Sequence, residues 1–233
     1  MSIAENIAEV RGRIAAAARS VGRDPAEIAL VGASKLNGAA ACREAIAAGI
    51  DALGENRVQE LTEKLAQHAY DGAPLHFIGH LQRNKVRRVV GTAALIQSVG
   101  SEELLEAVNA QAERLSLRQD ILLEVNIGEE ASKSGFEASR LPFAAEKAFS
   151  LPHVRVRGLM CIPPVAAEAH GSVPYFEKVH ALYVDINEKM YHNTLDILSM
   201  GMSGDYEDAI RTGATMVRVG TAIFGRRNAA EPR

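Results

Sequence analysis

Short apolar runs alternate with amphipathic segments along this chain. Residues 3–21 carry isoleucine, valine and alanine at helical spacing, which predicts an amphipathic helix. Apolar runs follow at about 28–35, 50–54, 75–79, 94–99, 120–127, 154–162, 197–200 and 216–219. Segments with a helical pattern lie between most of these runs. The pattern predicts eight strands that alternate with helices after one extra N-terminal helix.

Eight strand–helix units within roughly 200 residues are typical of a (β/α)8 TIM-type barrel, the α/β fold that we predict. A doubly wound open sheet is the alternative that the same alternation allows. No proline-rich linker, low-complexity tract or clear repeat divides the chain, so we expect residues 1–233 to form one domain.

Composition excludes several classes of partner. Hydrophobic residues make up 47%, charged residues 24%, and the net charge is −3, so no global field recruits nucleic acid or a membrane. A basic cluster at residues 83–88 lacks interleaved aromatic residues, and we interpret it as a solvated helix face. No apolar run approaches the roughly 18 residues of a membrane helix, and the first residues lack a signal-peptide core.

Cysteine and histidine usage points away from disulfides and metals. Cys42 and Cys161 have neither CxxC nor metal-ligand spacing, which predicts two free thiols in a reducing cytoplasm. His76 and His80 are four residues apart in a predicted strand and can share a face, but no third ligand is apparent. We therefore predict no metal site and a cytoplasmic location.

The first apolar run ends in Ser34 and Lys35, and a lysine is poorly suited to the middle of a buried strand. At the C-terminal end of that strand, Lys35 would lie where α/β barrels bind their ligands. The alternative is that Lys35 only marks the point where the strand reaches solvent.

Candidate phosphate-binding groups follow the seventh and eighth strands, where barrels commonly bind phosphate. Ser203, Gly220 and Thr221 supply hydroxyl groups and backbone N–H groups that an anion can approach closely. Ser203 has the alternative role of an ordinary N-cap for the next helix. Arg218 lies inside the last apolar run and needs a partner, which is either a carboxylate or a bound ligand.

A lysine on the first strand together with a phosphate site on the last two suggests a ligand that carries both an aldehyde and a phosphate. The amine of Lys35 can attack the carbonyl, lose water and give a Schiff base. Pyridoxal 5′-phosphate (PLP) is the first candidate for this ligand. A sugar phosphate in an aldolase-type barrel is the second.

The sequence resembles the pyridoxal phosphate homeostasis protein family, whose barrel is shared with the N-terminal domain of alanine racemase. The matching stretches are residues 31–35, 54–60, 76–85, 125–128 with Lys133 and Gly135, 157–164, 198–203 and 217–225. Their joint order along nearly the whole chain is specific to the family. Leu36-Asn37-Gly38 departs from it, because a proline-containing stretch is usual there, as do Leu75 and Gly100 in place of a common tryptophan and aspartate.

The resemblance implies a fold-type III PLP barrel and a role for each matching residue. Lys35 would hold PLP as a Schiff base, and Arg218 would face the pyridine nitrogen. Asn56 would lie near the ring. The phosphate ligands would be Ser203, Gly220 and Thr221, with Ser199 as a further candidate.

The resemblance also bears on catalysis. Alanine racemase has a second domain that supplies a catalytic tyrosine and much of the dimer, and only residues 226–233 follow the predicted barrel here. Of the five tyrosines, only Tyr206 comes just after the end of a strand, and we interpret it as a surface residue in the first turn of a helix.

We therefore expect a monomeric protein that stores, buffers or delivers PLP, with PLP-dependent apo-enzymes as transient partners. The alternative is a weak amino-acid racemase or lyase.

Overall fold

A computed structural model of the chain describes residues 1–130, 134–165 and 168–225. Its eight strands are β1 Ala29–Ala33, β2 Ala52–Glu55, β3 Leu75–Phe77, β4 Leu95–Val99, β5 Gln119–Val125, β6 Val154–Cys161, β7 Ile197–Ser199 and β8 Met216–Val219. The strands are parallel and form one closed barrel in chain order, with β8 pairing against β1. The predicted barrel is confirmed, and the open sheet is excluded.

The helices are α1 Ile3–Ser20, α2 Ala39–Ala47, α3 Val58–Leu65, α4 Glu102–Arg114, α5 Leu141–Ser150, α6 Val173–Lys189, α7 Tyr206–Arg211 and α8 Thr221–Phe224. Short 3-10 helices at Pro25–Glu27 and Arg83–Arg88 complete the regular structure of the described residues. None of the helices in the described ranges is long and apolar enough to cross a bilayer.

Helix α1 is the extra helix outside the eight strand–helix units. A capping box starts it, because the Ser2 hydroxyl accepts from the Glu5 N–H and the Glu5 carboxylate accepts from the Ser2 N–H. Its apolar face is buried as the spacing predicts. Asn6 donates to the carbonyl oxygen of Ile223 at 2.7 Å, and Arg13 pairs with Glu207 on α7. Helix α1 therefore packs beside the elements that flank β8.

Side chains of alternate strand residues fill the barrel interior. One apolar cluster there consists of Val31, Ala52, Leu95, Leu122, Met160, Ile197 and Met216. A second and larger apolar cluster includes residues of the strands and of the surrounding helices. At Gly158, with φ of 154°, a Cβ atom would lie 1.7 Å from the carbonyl oxygen of Ile197. Only glycine therefore allows β6 to approach β7 at this point.

Candidate functional site

Four neighbouring strands bring most of the predicted site residues to one end of the barrel. Ser203 follows β7, Gly220 and Thr221 follow β8, Lys35 follows β1, and Asn56 follows β2. These strands are consecutive in the closed barrel, and their C-terminal ends meet at one opening. We call this opening the carboxyl mouth.

Lys35 lies two residues beyond the end of β1, and its side chain is exposed. Its backbone carbonyl accepts a 3.0 Å hydrogen bond from the side-chain amide of Asn37. No side chain within residues 1–130, 134–165 and 168–225 forms a hydrogen bond or an ion pair with the Lys35 amine. The amine is therefore free of protein partners in the described part of the chain.

The Ser203 hydroxyl links the loop after β7 to the start of α8. Its oxygen accepts from the backbone N–H groups of Gly220 and Ala222 at 3.3 and 3.4 Å. Asp205, and not Ser203, occupies the N-cap position of α7, so the N-cap interpretation of Ser203 is wrong. A Cβ atom at Gly220 would lie 3.3 Å from the Ala33 carbonyl oxygen, so the ends of β8 and β1 are closely apposed here.

Asn56 carries an unsatisfied polar atom. Its side-chain oxygen is buried and has no hydrogen-bond donor among the described residues. The Asn56 backbone packs so closely on Gly79 that a Cβ there would lie 2.2 Å from the Asn56 carbonyl oxygen. A buried acceptor without a donor costs about 1–3 kcal/mol, which a donating ligand can offset.

Arg218 is a buried cation without a carboxylate partner among the described residues. Its side chain is 4% exposed, and it donates to the Ser199 hydroxyl at 2.6 Å and to the Cys161 carbonyl at 2.8 Å. Burial lowers the pKa of the Arg218 guanidinium below its ordinary value. The described residues form no ion pair with Arg218, although the carboxylates of Glu124 and Asp205 are near enough to act on its charge. The bound ligand that the sequence left open as a partner stays a prediction.

Ser199 lies inside the barrel, in a chain of hydrogen bonds that begins at Arg218. The Ser199 hydroxyl donates to Gln97 at 2.7 Å, and the Gln97 amide donates to Nδ1 of His76 at 3.0 Å. The Ser199 oxygen accepts from Arg218 and so helps to hold the guanidinium in place. Because the single Ser199 proton is donated to Gln97, none is left for a phosphate. The role of Ser199 as a phosphate ligand stays a prediction.

Sequence reasoning missed two polar residues of the barrel interior and mouth, Gln97 and Glu124. Gln97 and Glu124 interrupt apolar strands at positions where alternation faces them inward, and this was the available signal. Burial raises the pKa of Glu124, and the Ser134 hydroxyl and the charge of Arg218 oppose this rise. Lys133, which matched the family, lies outside the described residues.

Tyr206 is not the surface residue that we expected. It is 1% exposed, and the Arg13 guanidinium lies 5.5 Å from its ring centre. Burial raises the pKa of its hydroxyl, and the charged groups that act on it are Arg13, Glu207 and Glu9 on α1 and α7. The prediction was wrong because packing of α1 across α7 covers a position that α7 alone would expose.

The remaining predictions concern histidine, cysteine and the basic cluster. His76 is buried in β3, whereas His80 lies beyond that strand and is exposed. In the described ranges, no three His, Cys, Asp or Glu side chains come close enough together to hold a metal ion. Cys42 and Cys161 are both free, as predicted, and both are buried. Arg83, Arg87 and Arg88 are exposed, as the interpretation of a solvated face requires.

Comparison with known proteins supports the same class of barrel. The family model of the alanine racemase N-terminal domain matches residues 3–228. The alanine racemase of Clostridium difficile 630 superposes with a TM-score of 0.73 at 16% identity, over 98% of this chain and 58% of the racemase. That similarity concerns the fold alone.

Relatives with higher sequence identity over nearly the whole chain show the family. The pyridoxal phosphate homeostasis proteins of Pseudomonas aeruginosa and Escherichia coli K12 are 43% and 38% identical, over 99% and 97% of this chain and 98% and 97% of theirs. PipY of Synechococcus elongatus PCC7942, solved with PLP bound, has a TM-score of 0.84 and 33% identity over 96% of this chain and all of its own. The chain belongs to the pyridoxal phosphate homeostasis protein family.

Proposed function

We propose that this chain binds PLP at the carboxyl mouth and holds it on Lys35, as a store, buffer or donor of the cofactor within the cell. The observation that carries the proposal is the buried Arg218 without a carboxylate, at the same end of the barrel as an amine without a protein partner. PipY contains PLP in its solved structure, and the curated relatives are named for PLP homeostasis.

The residues present fit an anionic aldehyde with further polar groups. The buried Asn56 oxygen needs a donor, and Arg218 needs a group that compensates its charge. The Ser203 oxygen accepts from the Gly220 and Ala222 N–H groups, which leaves its own proton to donate to a phosphate. The exposed Thr221 hydroxyl is a second donor at the start of α8. Ser203, Gly220 and Thr221 would therefore hold the phosphate.

Lys35 would supply the covalent link. Its amine, after releasing a proton to solvent, adds to the aldehyde carbon, and loss of the carbonyl oxygen as water leaves a carbon–nitrogen double bond. Arg218 would face the pyridine nitrogen, and Asn56 would lie near the ring. A guanidinium at this nitrogen disfavours its protonation and so weakens the ring as an electron sink. This weakening favours a carrier over an efficient catalyst.

Absorbance spectroscopy tests the proposal. Wild-type protein titrated with PLP is expected to gain a visible band that borohydride abolishes as it fixes the cofactor covalently. The Lys35→Ala variant should gain neither the band nor the covalent label. A wild-type protein that stays colourless at saturating PLP would reject the proposal and favour a sugar phosphate.

A weak amino-acid racemase or lyase remains the second candidate, and Glu124 is the observation that favours it. Glu124 is a buried carboxyl near Arg218 whose pKa is raised, as in many groups that transfer protons. Turnover of a panel of amino acids by PLP-loaded protein distinguishes the candidates. The carrier proposal predicts turnover near the level of free PLP. Robust turnover that Glu124→Gln abolishes would establish the enzyme instead.

We further propose that residues 1–233 are one domain that acts as a monomer in the cytoplasm and passes PLP to apo-enzymes. The contacts of α1 with α7 and α8 support the single domain.

The large exposed apolar side chains of the described residues come from many separate elements, which supports a monomer. The two free thiols are consistent with the cytoplasm. Light scattering should give a mass near 25.0 kDa, and a dimer mass would contradict the monomer.

A further inference from the structure

Side chains from α3 hold both peptide groups that flank Lys35. The Ser34 carbonyl, which belongs to the peptide bond before Lys35, accepts from the Lys64 ammonium at 2.8 Å. The Leu36 N–H, which belongs to the peptide bond after Lys35, donates to the Glu60 carboxylate at 2.7 Å. The backbone on each side of the candidate lysine is thus fixed by one helix.

These two α3 residues belong to a single network of charges. Lys64 and Glu60 lie one helical turn apart, with 3.8 Å between their charged atoms. Lys64 is 6% exposed and also pairs at 2.5 Å with Glu55, which is fully buried at the end of β2. The Ser34 hydroxyl donates to the same Glu55 oxygen at 2.5 Å. We call Glu55, Glu60 and Lys64 the lysine brace.

Stability alone gives a poor account of the lysine brace. Burying charged groups costs several kcal/mol per ion, and apolar replacements of whole buried ion pairs are often neutral or stabilising. What the lysine brace does provide is two directed hydrogen bonds to the backbone beside Lys35. Such bonds restrict the position of the Lys35 Cα atom and the direction in which its side chain leaves the backbone.

The turn at Leu36 needs such a restraint. Leu36 has a φ of 63°, in the left-handed region that costs a non-glycine residue roughly 1–2 kcal/mol. Its side chain is 56% exposed and gives little packing to hold this conformation. The hydrogen bond from its N–H to Glu60 acts on the strained residue itself.

We propose that Glu60 and Lys64 are positioning residues, which preset the backbone at Lys35 so that its amine meets the carbonyl carbon of an aldehyde ligand. The inference rests on the proposed function and adds to it. Holding a reacting group in place lowers the entropic cost of reaction, and small misplacements slow reactions strongly. The lysine brace should therefore affect the rate at which Lys35 reacts more than it affects folding.

The test compares three α3 variants of the full chain. Glu60→Met removes the acceptor for the Leu36 N–H, and Glu60→Gln removes the charge but keeps an acceptor oxygen. Glu63→Met is the matched control, because Glu63 is an exposed glutamate on the same helix that contacts Gln59 and Gln67. The rate of the PLP absorbance change is measured by stopped flow, and thermal unfolding of each variant is measured in parallel.

We expect Glu60→Met to slow the reaction with PLP roughly 10-fold, and Glu60→Gln and Glu63→Met to stay close to wild type. Unfolding midpoints should agree for wild type, Glu60→Gln and Glu63→Met, and Glu60→Met should unfold at a somewhat lower temperature because it loses one hydrogen bond to a charged group. Equal rates for Glu60→Met and wild type would overturn the inference. It would also be overturned if Glu60→Gln were as slow as Glu60→Met, because the lost charge and not the backbone bond would then be responsible.

A second readout separates this inference from the proposed function. If wild-type protein does not react with PLP, the proposed function fails, and labelling of Lys35 by an amine-acylating reagent replaces the PLP rate. Peptide mass mapping then gives the Lys35 labelling rate in each variant. A changed rate in Glu60→Met, restored in Glu60→Gln, still supports positioning, and identical rates contradict it.

Discussion

Two arginines that occupy opposite ends of the barrel have opposite surroundings. Near the amino end, Arg157 pairs with Asp196 and, at 2.7 Å, with Asp120. At the carboxyl mouth, Arg218 is bonded only to a serine hydroxyl and a backbone carbonyl among the described residues. Among the described residues, the same residue type therefore forms ion pairs at one end of the barrel and none at the other.

The pKa shifts follow the same contrast. The hydrogen bond with Asp196 is the main cause that raises the pKa of Arg157, whereas burial lowers the pKa of Arg218. A buried charge without a counterion is costly, and proteins keep such groups chiefly at functional sites. The comparison therefore supports our proposal that a ligand contacts Arg218 at the carboxyl mouth, whereas Arg157 has its ionic partners within the protein.

The largest effect should come from exchanging each arginine for methionine and measuring PLP affinity. Arg218→Met removes the cation that would contact the cofactor. We expect about 100-fold weaker PLP binding, which is the effect typical of removing one charged hydrogen-bond partner. Arg157→Met should bind PLP within about 2-fold of wild type because it lies outside the carboxyl mouth. Equal losses in both variants would remove the distinction between the two ends.

In the free energy of unfolding, the order of the two variants should be the reverse: Arg157→Met should lose more than Arg218→Met. Without PLP, Arg157→Met is expected to lose about 2 kcal/mol, because Asp120 and Asp196 lose charged hydrogen bonds. Arg218→Met should change by less than about 1 kcal/mol, since removing the buried charge offsets two lost hydrogen bonds. Urea unfolding measures both values. A larger loss in Arg218→Met would show that the site arginine is chiefly structural.

His76 lies between the two ends and gives a smaller, pH-dependent effect. Burial, with a further contribution from the charge of Arg157, lowers the pKa of His76 from 6.5 to about 4. Between these pH values the unfolded chain binds a proton that the folded chain excludes, so stability falls as the pH drops through this window. We expect a loss of about 1 kcal/mol between pH 7 and about pH 5.5.

The variant His76→Gln should remove this part of the pH dependence when unfolding is measured across the same window. If the free energy of unfolding of the variant depends on pH as strongly as that of wild type, the pH dependence comes from other groups. Asp120 is a poor candidate, because Arg155 and Arg157 overcome its burial and hold its pKa below the ordinary value. Its contribution to stability is lost only as the pH falls below about 4.

The smallest expected effect is on ligand affinity, and it distinguishes the roles of Ser199 and Ser203. Ser199→Ala should weaken binding of PLP and of phosphate-free pyridoxal alike, by about 3-fold, because the hydroxyl acts through Arg218. Ser203→Ala should weaken PLP binding but leave pyridoxal unchanged. Fluorescence or absorbance titrations with both ligands measure the ratios. A loss confined to PLP in Ser199→Ala would instead make Ser199 a phosphate ligand.

The sequence was sufficient to predict the barrel and several of the residues at its carboxyl mouth. Alternation of apolar runs and helical segments defined eight strands, and the ends of β1, β2, β7 and β8 then grouped Lys35, Asn56, Ser203 and Gly220. These features depend on local periodicity and on one general rule about where barrels bind ligands.

Features that depend on long-range packing were not predictable. Lys64 lies on an amphipathic helix, where a lysine is usually exposed, and its burial depends on contacts with β2 and the turn after β1. Tyr206 is covered by α1, almost 200 residues earlier in the chain. The hydrogen-bond chain from Arg218 to His76 joins strands β8, β7, β4 and β3, whose registers the sequence pattern does not specify.

Peptide mapping after borohydride reduction of the PLP-treated protein tests the central claim most directly. We predict that a single phosphopyridoxyl group is found and that it lies on the peptide containing Lys35. A label on Lys64, on the exposed lysines or on no peptide at all would contradict the claim that the carboxyl mouth holds PLP through Lys35.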